Sequence, residues 1–262
     1  MQIQIFIDQL RSQGRFSFTI TELEQALEAN RAAALNALSR LKKSGAIASP
    51  VHGFYLILTP EYRVLGCLPA DMFIADLMAH LEQPYYVGLL SAAQFYGAAH
   101  QKPQRFQVVI KQNRRAIQCG RIMIEFIANQ HMELLPTQSF NTASGTIFVA
   151  SPEAIALDML SNQKHAAGID HIATVLLELS ESLNAEKLLL LARTYPETAW
   201  LQRLGYLLET LGFNELSENI LKILKEKKVN WVRLAPRISS MQLSRNSKWK
   251  IIVNTTVEPD EL

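Results

Sequence analysis

The stretch Asn30–Leu58, NRAAALNALSRLKKSGAIASPVHGFYLIL, opens rich in alanine, turns basic, breaks at a glycine and ends in two short apolar runs pinched around SPVHG. Asn30 has the side chain of a helix N-cap, and Gly45 is the residue best able to end a helix in the left-handed conformation. The spacing therefore predicts a helix that Asn30 caps and that runs to Lys43. Beyond it, AIAS (46–49) and FYLIL (54–58) are strand-like and joined by PVHG, a hairpin signal. On a helical wheel Ala34, Leu35, Leu38 and Leu41 fall on one side, a stripe for packing. The other side presents Ala33, Asn36, Ala37, Arg40 and Lys43, with Ser39 at its edge. Alanines let a backbone approach closely, Asn and Arg can hydrogen-bond base edges bidentately, and Lys43 suits a phosphate. The same residue types also make an ordinary solvated helix face. The hairpin that follows at the spacing of a wing, with His52 in it, favours the recognition reading. The candidate DNA contacts are Asn30, Arg31, Asn36, Ser39, Arg40, Lys42, Lys43 and His52.

Upstream, Ile3, Phe6, Ile7 and Leu10 recur at helical spacing, and FSFTI (16–20) alternates like one short strand. Thr21 and Glu24 match a Thr-x-x-Glu capping box, predicting a short helix over Glu22–Glu28. The order helix, strand, helix, helix, strand, strand is that of a winged helix-turn-helix, assigned to residues 1–66. Residues 67–262 read differently. PADMFIADLMAHLE (69–82) is helical, and Gly88–Tyr96 is a second helix closed by Gly97. RFQVVIK (105–111) and RIMIEFIA (121–128) are strong strand candidates separated by a basic turn, QNRRAIQCG (112–120), while HMELLP (131–136) and GTIFVAS (145–151) are shorter ones. Ser151, followed by Pro152 and Glu153, caps the start of a mainly helical stretch, 151–228. Strand character returns over 229–257. The expectation is an α+β chain: a winged helix ahead of a mixed domain with strands over 67–150, helices over 151–228 and closing strands.

With 262 residues, 48% hydrophobic and 19% charged, the chain can bury a sizeable core. A net charge of +2 does not announce a nucleic-acid binder, so any basic surface must come from uneven placement. No Asp or Glu occurs from Ala29 to Pro60, from Gln83 to Ile124 or from Lys227 to Val257, and each interval holds several Lys or Arg. The turn with Lys111, Arg114, Arg115 and Arg121 could touch DNA flanking the wing or an acidic protein partner, or be a solvated hairpin tip. Cys67 and Cys119 lie in no CxxC pair, which fits a reducing cytoplasm. No leader and no apolar run of about eighteen residues is seen, so the chain reads as soluble, with no membrane partner.

Enzyme signatures are missing. No glycine-rich phosphate loop, Gly-x-Ser-x-Gly elbow or HExxH motif appears. His165 and His171 lack ligand partners at metal spacing apart from Asp170, so they read as helix-surface residues. Asp158 and Asp170 are separated by a helix end and the NQKHAAG link, and read as helix-face or capping residues. Tyr85, Tyr86, Phe95 and Tyr96 could stack a base, yet their spacing favours hydrophobic packing. No catalytic residue, metal or cofactor is expected.

Four blocks carry a family likeness: YYVGLLSAAQFYGAAHQKPQRFQVVI (Tyr85–Ile110), SPEAIALDML (Ser151–Leu160), RLGYLLETLG (Arg203–Gly212) and WKIIVNTTVEPD (Trp249–Asp260). In this order they resemble the AbiEi antitoxins of the AbiE type IV toxin–antitoxin systems, in the form with a winged helix ahead of the antitoxin domain. The resemblance implies a repressor that binds inverted repeats in its own promoter and counters a nucleotidyltransferase-like toxin. It implies no catalytic residues. Such a chain would be a monomer or weak dimer that pairs on DNA. The alternative is a winged-helix regulator whose larger domain senses a small molecule.

Overall fold

A computed structural model describes residues 3–98, 104–239 and 243–259. The chain is mixed α+β, as expected, and divides into two compact units. The first comprises Met1–Tyr86, Gln104–Gln130 and Ser139–Phe148; the second comprises Val87–Pro103, His131–Gln138 and Val149–Leu262.

The first unit begins with α1 (Ile3–Ser12), β1 (Ser17–Thr19), α2 (Ile20–Leu27), α3 (Arg31–Lys43), β2 (Ile47–Val51) and β3 (Phe54–Ile57), the order read from the sequence. The strands form an antiparallel sheet in the order β1-β3-β2. Phe6, Ile7 and Leu10 of α1 join Phe18, Leu23, Ala34, Leu38, Ile47 and Ile57 in one apolar cluster. Phe18 is held between two rings, edge-on to Phe6 at 5.4 Å and stacked on Tyr55 at 5.5 Å. The capping box lies two residues earlier than expected. Thr19, not Thr21, caps α2: its hydroxyl accepts from the Glu22 amide, and Glu22 returns to the Thr19 amide at 2.7 Å. Thr19-x-x-Glu22 and Thr21-x-x-Glu24 both match the pattern. The earlier frame starts the helix where β1 ends, with Ile20 and Leu23 both buried. Arg15 locks Glu22 from outside at 2.6 Å. Burial pushes the Glu22 carboxyl up, but its bonds to Arg15 and Thr19 outweigh that and hold it below the usual range.

The helix expected over 69–82 is broken. A 3-10 turn, Ala70–Met72, precedes α4 (Ile74–His80), and Phe73 between them leaves helical geometry at φ −138° with its ring buried. The Met72 carbonyl accepts a hydrogen bond from the Ser144 hydroxyl, which takes it out of the helical ladder. A two-residue strand, β4 (Tyr86–Val87), spans the boundary between the units. Next come β5 (Phe106–Ile110), β6 (Ile117–Cys119) and β7 (Ile122–Ala128). The basic segment is not a hairpin tip joining two neighbours. β5 and β7 are parallel, with Phe106 opposite Ile124 and Ile110 opposite Ala128, and β6 lies antiparallel on the far side of β7. The reversal is made by Gly120 and Arg121 between the paired Cys119 and Ile122. Gly120 has φ +53°, and a Cβ there would lie 2.2 Å from the Leu65 carbonyl oxygen, so both conformation and space demand glycine.

HMELLP forms a 3-10 turn, Met132–Leu134, rather than a strand. The strand lies just beyond it, β8 (Thr137–Thr142), followed by β9 (Gly145–Ala150). In the second unit, Val87 of β4 pairs in parallel with Val149 of β9. The helix at Gly88–Tyr96 resolves into α5 (Leu89–Ala93) and a 3-10 turn, Gln94–Tyr96. Then come α6 (Pro152–Ser161), α7 (Ile169–Leu179), α8 (Ala185–Thr194), α9 (Ala199–Thr210), α10 (Asn214–Glu226) and a small sheet of β10 (Val232–Arg233), β11 (Ser244–Asn246) and β12 (Ile251–Val253). Ser151 caps α6, whose residues Pro152–Leu160 are all buried. Asp158, expected on a helix face or at a cap, is fully buried.

Burial of α6 imports polar groups that must be satisfied. The Glu153 carboxylate accepts from the Ser151 hydroxyl at 2.6 Å and the Asn184 amide at 2.8 Å. Arg203 of α9 donates to the carbonyls of Leu160 and Arg233, and its burial lowers its basicity. Its neighbour Gln202 donates to the carbonyls of Asn230 and Trp249. One turn on, Gly205 receives the Trp249 ring, and the indole N–H donates to Glu209. A Cβ on Gly205 would lie 2.1 Å from that ring. Gly205→Ala should therefore cost about 1–3 kcal/mol through overpacking, read as a lower midpoint in urea unfolding followed by tryptophan fluorescence.

Candidate nucleic-acid interface

Helix α3 is built as the sequence suggests, with one change. The Asn30 side chain accepts from the Ala33 amide at 3.0 Å, and beyond the C-cap Ser44, Gly45 turns left-handed at φ +67°. Ala34 and Leu38 are buried and Leu41 half-buried. Leu35, expected in the packing stripe, is 44% exposed. It sits about 100° around the helix from Ala34, beyond the narrow seam that a helix resting on a small core can bury.

That leaves a wide outward arc. Ala32, Ala33, Leu35, Asn36, Ser39, Arg40, Lys42 and Lys43 are exposed, and Ala37 is half-buried at its border. Among the described residues, no carboxylate pairs with Arg40, Lys42 or Lys43. All three lie in the last turns, where cations also favour the helix dipole. Arg31 differs: Glu24 of α2 sits 3.4 Å from its guanidinium. Asn30 differs too, because its oxygen is committed to the cap. Ala32 was not singled out from sequence. Its place next to Asn36 on the wheel is the signal that would have found it.

The hairpin of β2 and β3 is braced at its turn. The Ile20 amide donates to the Gly53 carbonyl at 2.9 Å. The His80 ring stands 3.3 Å from the His52 carbonyl oxygen and 5.3 Å from the Phe54 ring. Opposite, the Asp76 carboxylate accepts the Ser17 hydroxyl at 2.6 Å. Helix α4 thus fixes both ends of the small sheet, while the His52 side chain is left exposed.

The second basic group falls in two places. Lys111, Arg114 and Arg115 are exposed in the connection between β5 and β6, with Arg114 over the Phe126 ring at 5.8 Å. Arg121 is exposed in the turn after β6, its amide donating to the Leu65 carbonyl at 2.8 Å. β2 lies beside β6, and the charge of Lys42 acts on Cys119 at the end of β6. The turn carrying Arg121 thus follows the strand that neighbours the basic end of α3. Of the aromatic group, Tyr86 is buried, and burial pushes the phenols of Tyr85 and Tyr96 up to about 12.

The family model of the AbiEi antitoxin C-terminal domain matches residues 86–210, from β4 to the end of α9. This part of the chain is similar to the C-terminal domain of AbiEi antitoxins. The AbiEi segment contains α6 and Arg203, whereas α1 to β3 precede it. No curated protein matches the chain. Among solved structures the chain is similar to the crystal structure of RV2827C protein from Mycobacterium tuberculosis, with a TM-score of 0.69 and 16% identity, covering 94% of this chain and 89% of that one. At that identity the likeness is one of fold, and its coverage is too wide to leave out α1 to β3. No described helix is long and apolar enough to cross a membrane.

The two asparagines of α3 separate folding from surface chemistry. Asn30→Ala should cost about 1 kcal/mol through the lost cap, and Asn36→Ala should stay within about 0.5 kcal/mol of the parent. Urea unfolding of both variants measures the difference.

Proposed function

We propose that this AbiEi chain is a DNA-binding transcriptional repressor and the antitoxin of a type IV toxin–antitoxin system, autoregulating its operon and countering a nucleotidyltransferase-like toxin. The observation that carries the DNA half is the outward arc of α3, free of acids and bearing Arg40, Lys42 and Lys43 without paired carboxylates among the described residues. Residues 1–66 act as a winged helix-turn-helix: α3 enters the major groove, with Asn36 and Arg40 reading base edges and Lys43 on a phosphate. His52, in the turn braced by α4, serves as the wing contact. Arg31 and Asn30 contribute through the helix start, where Glu24 and the cap already engage them. Lys111, Arg114, Arg115 and Arg121 form a flanking contact with DNA or with an acidic partner. An inverted-repeat operator would seat two copies, each presenting one α3. The antitoxin half rests on the AbiEi match and belongs to residues 67–262. The reading assigns no catalytic step and needs no cofactor.

The compact unit holding α3 also contains residues 104–130, so the test uses the whole chain. Arg40→Ala should weaken binding to the promoter of its own operon by about 1–3 kcal/mol in a mobility-shift assay at fixed salt. The same variant should still relieve the toxicity of the toxin encoded beside it. Unchanged promoter affinity would remove α3 as the reader, and loss of protection would remove the division of labour. Lys43→Ala should weaken all sequences alike and lower the salt dependence by about one counterion.

A further inference from the structure

Cys67 and Cys119 have no neighbour of their kind in the sequence, yet they meet inside the first unit. Cys67, just after Gly66, is fully buried; Cys119, the last residue of β6, keeps 7% exposure; both are free thiols. The two thiols influence each other's ionisation, and the Cys119 thiol donates to the carbonyl of Gly66, the residue next to Cys67, at 3.9 Å. The backbones that carry them are pinned together. Arg121 donates to the Leu65 carbonyl, and Gly120 is pressed against Leu65 and Gly66 with no room for a side chain. The surroundings of the two sulfurs differ. Cys119 also feels the Ser49 backbone of the adjoining β2 and the charge of Lys42 from α3. The neighbouring Cys67 thiol, against the effect of burial, holds the Cys119 thiol below its usual range, with help from the charge of Lys42. Its Cys119 neighbour and burial push Cys67 up. Two buried cysteines serving only as small hydrophobes need not lie on chain segments pressed against each other by an obligatory glycine.

We propose that Cys67 and Cys119 form a peroxide-reactive dithiol that closes to an intramolecular disulfide, with Cys119 as the nucleophile and Cys67 as the resolving thiol. The Cys119 thiolate attacks one oxygen of hydrogen peroxide. The O–O bond breaks, an S–O bond forms, and the departing hydroxide takes a proton to become water, which leaves Cys119 as a sulfenic acid. The Cys67 sulfur then attacks the Cys119 sulfur. The S–S bond forms, the S–O bond breaks, and the hydroxide leaves with the Cys67 proton as a second water. Two thiols are oxidised and one peroxide is reduced. The residual exposure of Cys119 admits an oxidant of this size, and the buried Cys67 is reached only from inside.

The test treats the reduced full-length protein with hydrogen peroxide, blocks remaining thiols with iodoacetamide after denaturation, and reads peptide masses with and without dithiothreitol. The expected product is a Cys67–Cys119 linked peptide pair lacking the mass of two hydrogens, which dithiothreitol returns to two free thiols. In Cys67→Ser, dimedone should label Cys119; in Cys119→Ser, Cys67 should stay an unmodified thiol. The proposal falls if both cysteines of the wild-type protein remain alkylatable after peroxide, if the only disulfides link separate chains, or if dimedone labels Cys67 first. The wild-type measurement needs no substitution, so it decides even where a variant fails to fold.

Discussion

Everything the outer arc of α3 offers depends on the narrow seam that Ala34 and Leu38 bury among Phe6, Leu23 and Ile47. A helix held by so few side chains leaves most of its circumference in water, and here that circumference holds no acid. The seam also sets orientation. Burying Ala34 and Leu38 turns Asn36, Ser39 and Lys43 to the opposite side, so the same two residues that stabilise the helix decide which groups a ligand meets. The adjoining hairpin is held from two directions. Its own sheet pairs it with β1, and α4 grips it through His80 while reaching β1 through Asp76. A helix and hairpin supported in this way present fixed geometry, which the proposed reading of base edges needs.

The AbiEi region follows a different logic. Its central helix, α6, is buried along nearly its whole length, so polar side chains there must be satisfied from neighbouring elements. Glu153 is tied to the start of α8, and Arg203 of α9 reaches back to the last turn of α6. Gln202 and Gly205 then fasten the closing segment through Trp249. Three blocks that lie far apart in the chain, SPEAIALDML, RLGYLLETLG and WKIIVNTTV, converge on this junction. The AbiEi match takes in the first block and most of the second, and the closing block beyond it interlocks with them: a side chain at Gly205 or a shorter group at Arg203 would leave partners clashing or unsatisfied. Buried hydrogen bonds of this kind, although they leave the Gln202 Oε1 without a partner, favour one arrangement of helices over others of equal hydrophobicity.

What could be read without coordinates was local. Asn30 and Ser151 announce caps because only a few side chains can take a free helix amide, and Gly45 announces a helix end because few residues tolerate left-handed backbone. The periodicity of α3 was legible to within one residue, Leu35, because a wheel gives angles but not the width of the surface that covers them. The capping box was ambiguous because two overlapping Thr-x-x-Glu frames are equally good chemistry. Burial of Ile20 against the core settled the frame.

Non-local pairing was invisible. β6 alternates over three residues only, too short a run to read as a period, and β8 is polar and mostly exposed. The reversal at Gly120 sets β6 antiparallel to β7, while β7 pairs in parallel with β5 on its other edge, and the nearby Leu65 carbonyl leaves room there for glycine alone. The meeting of Cys67 with Cys119 and the burial of Asp158 have the same origin. The amino-acid sequence by itself determined helix starts and ends, the order of elements and the basic, acid-free face of α3, since these arise from residues within a turn or two of each other. Tertiary structure decided which strands pair, which polar groups go inside and which thiols touch, because those depend on surfaces that distant segments create for one another.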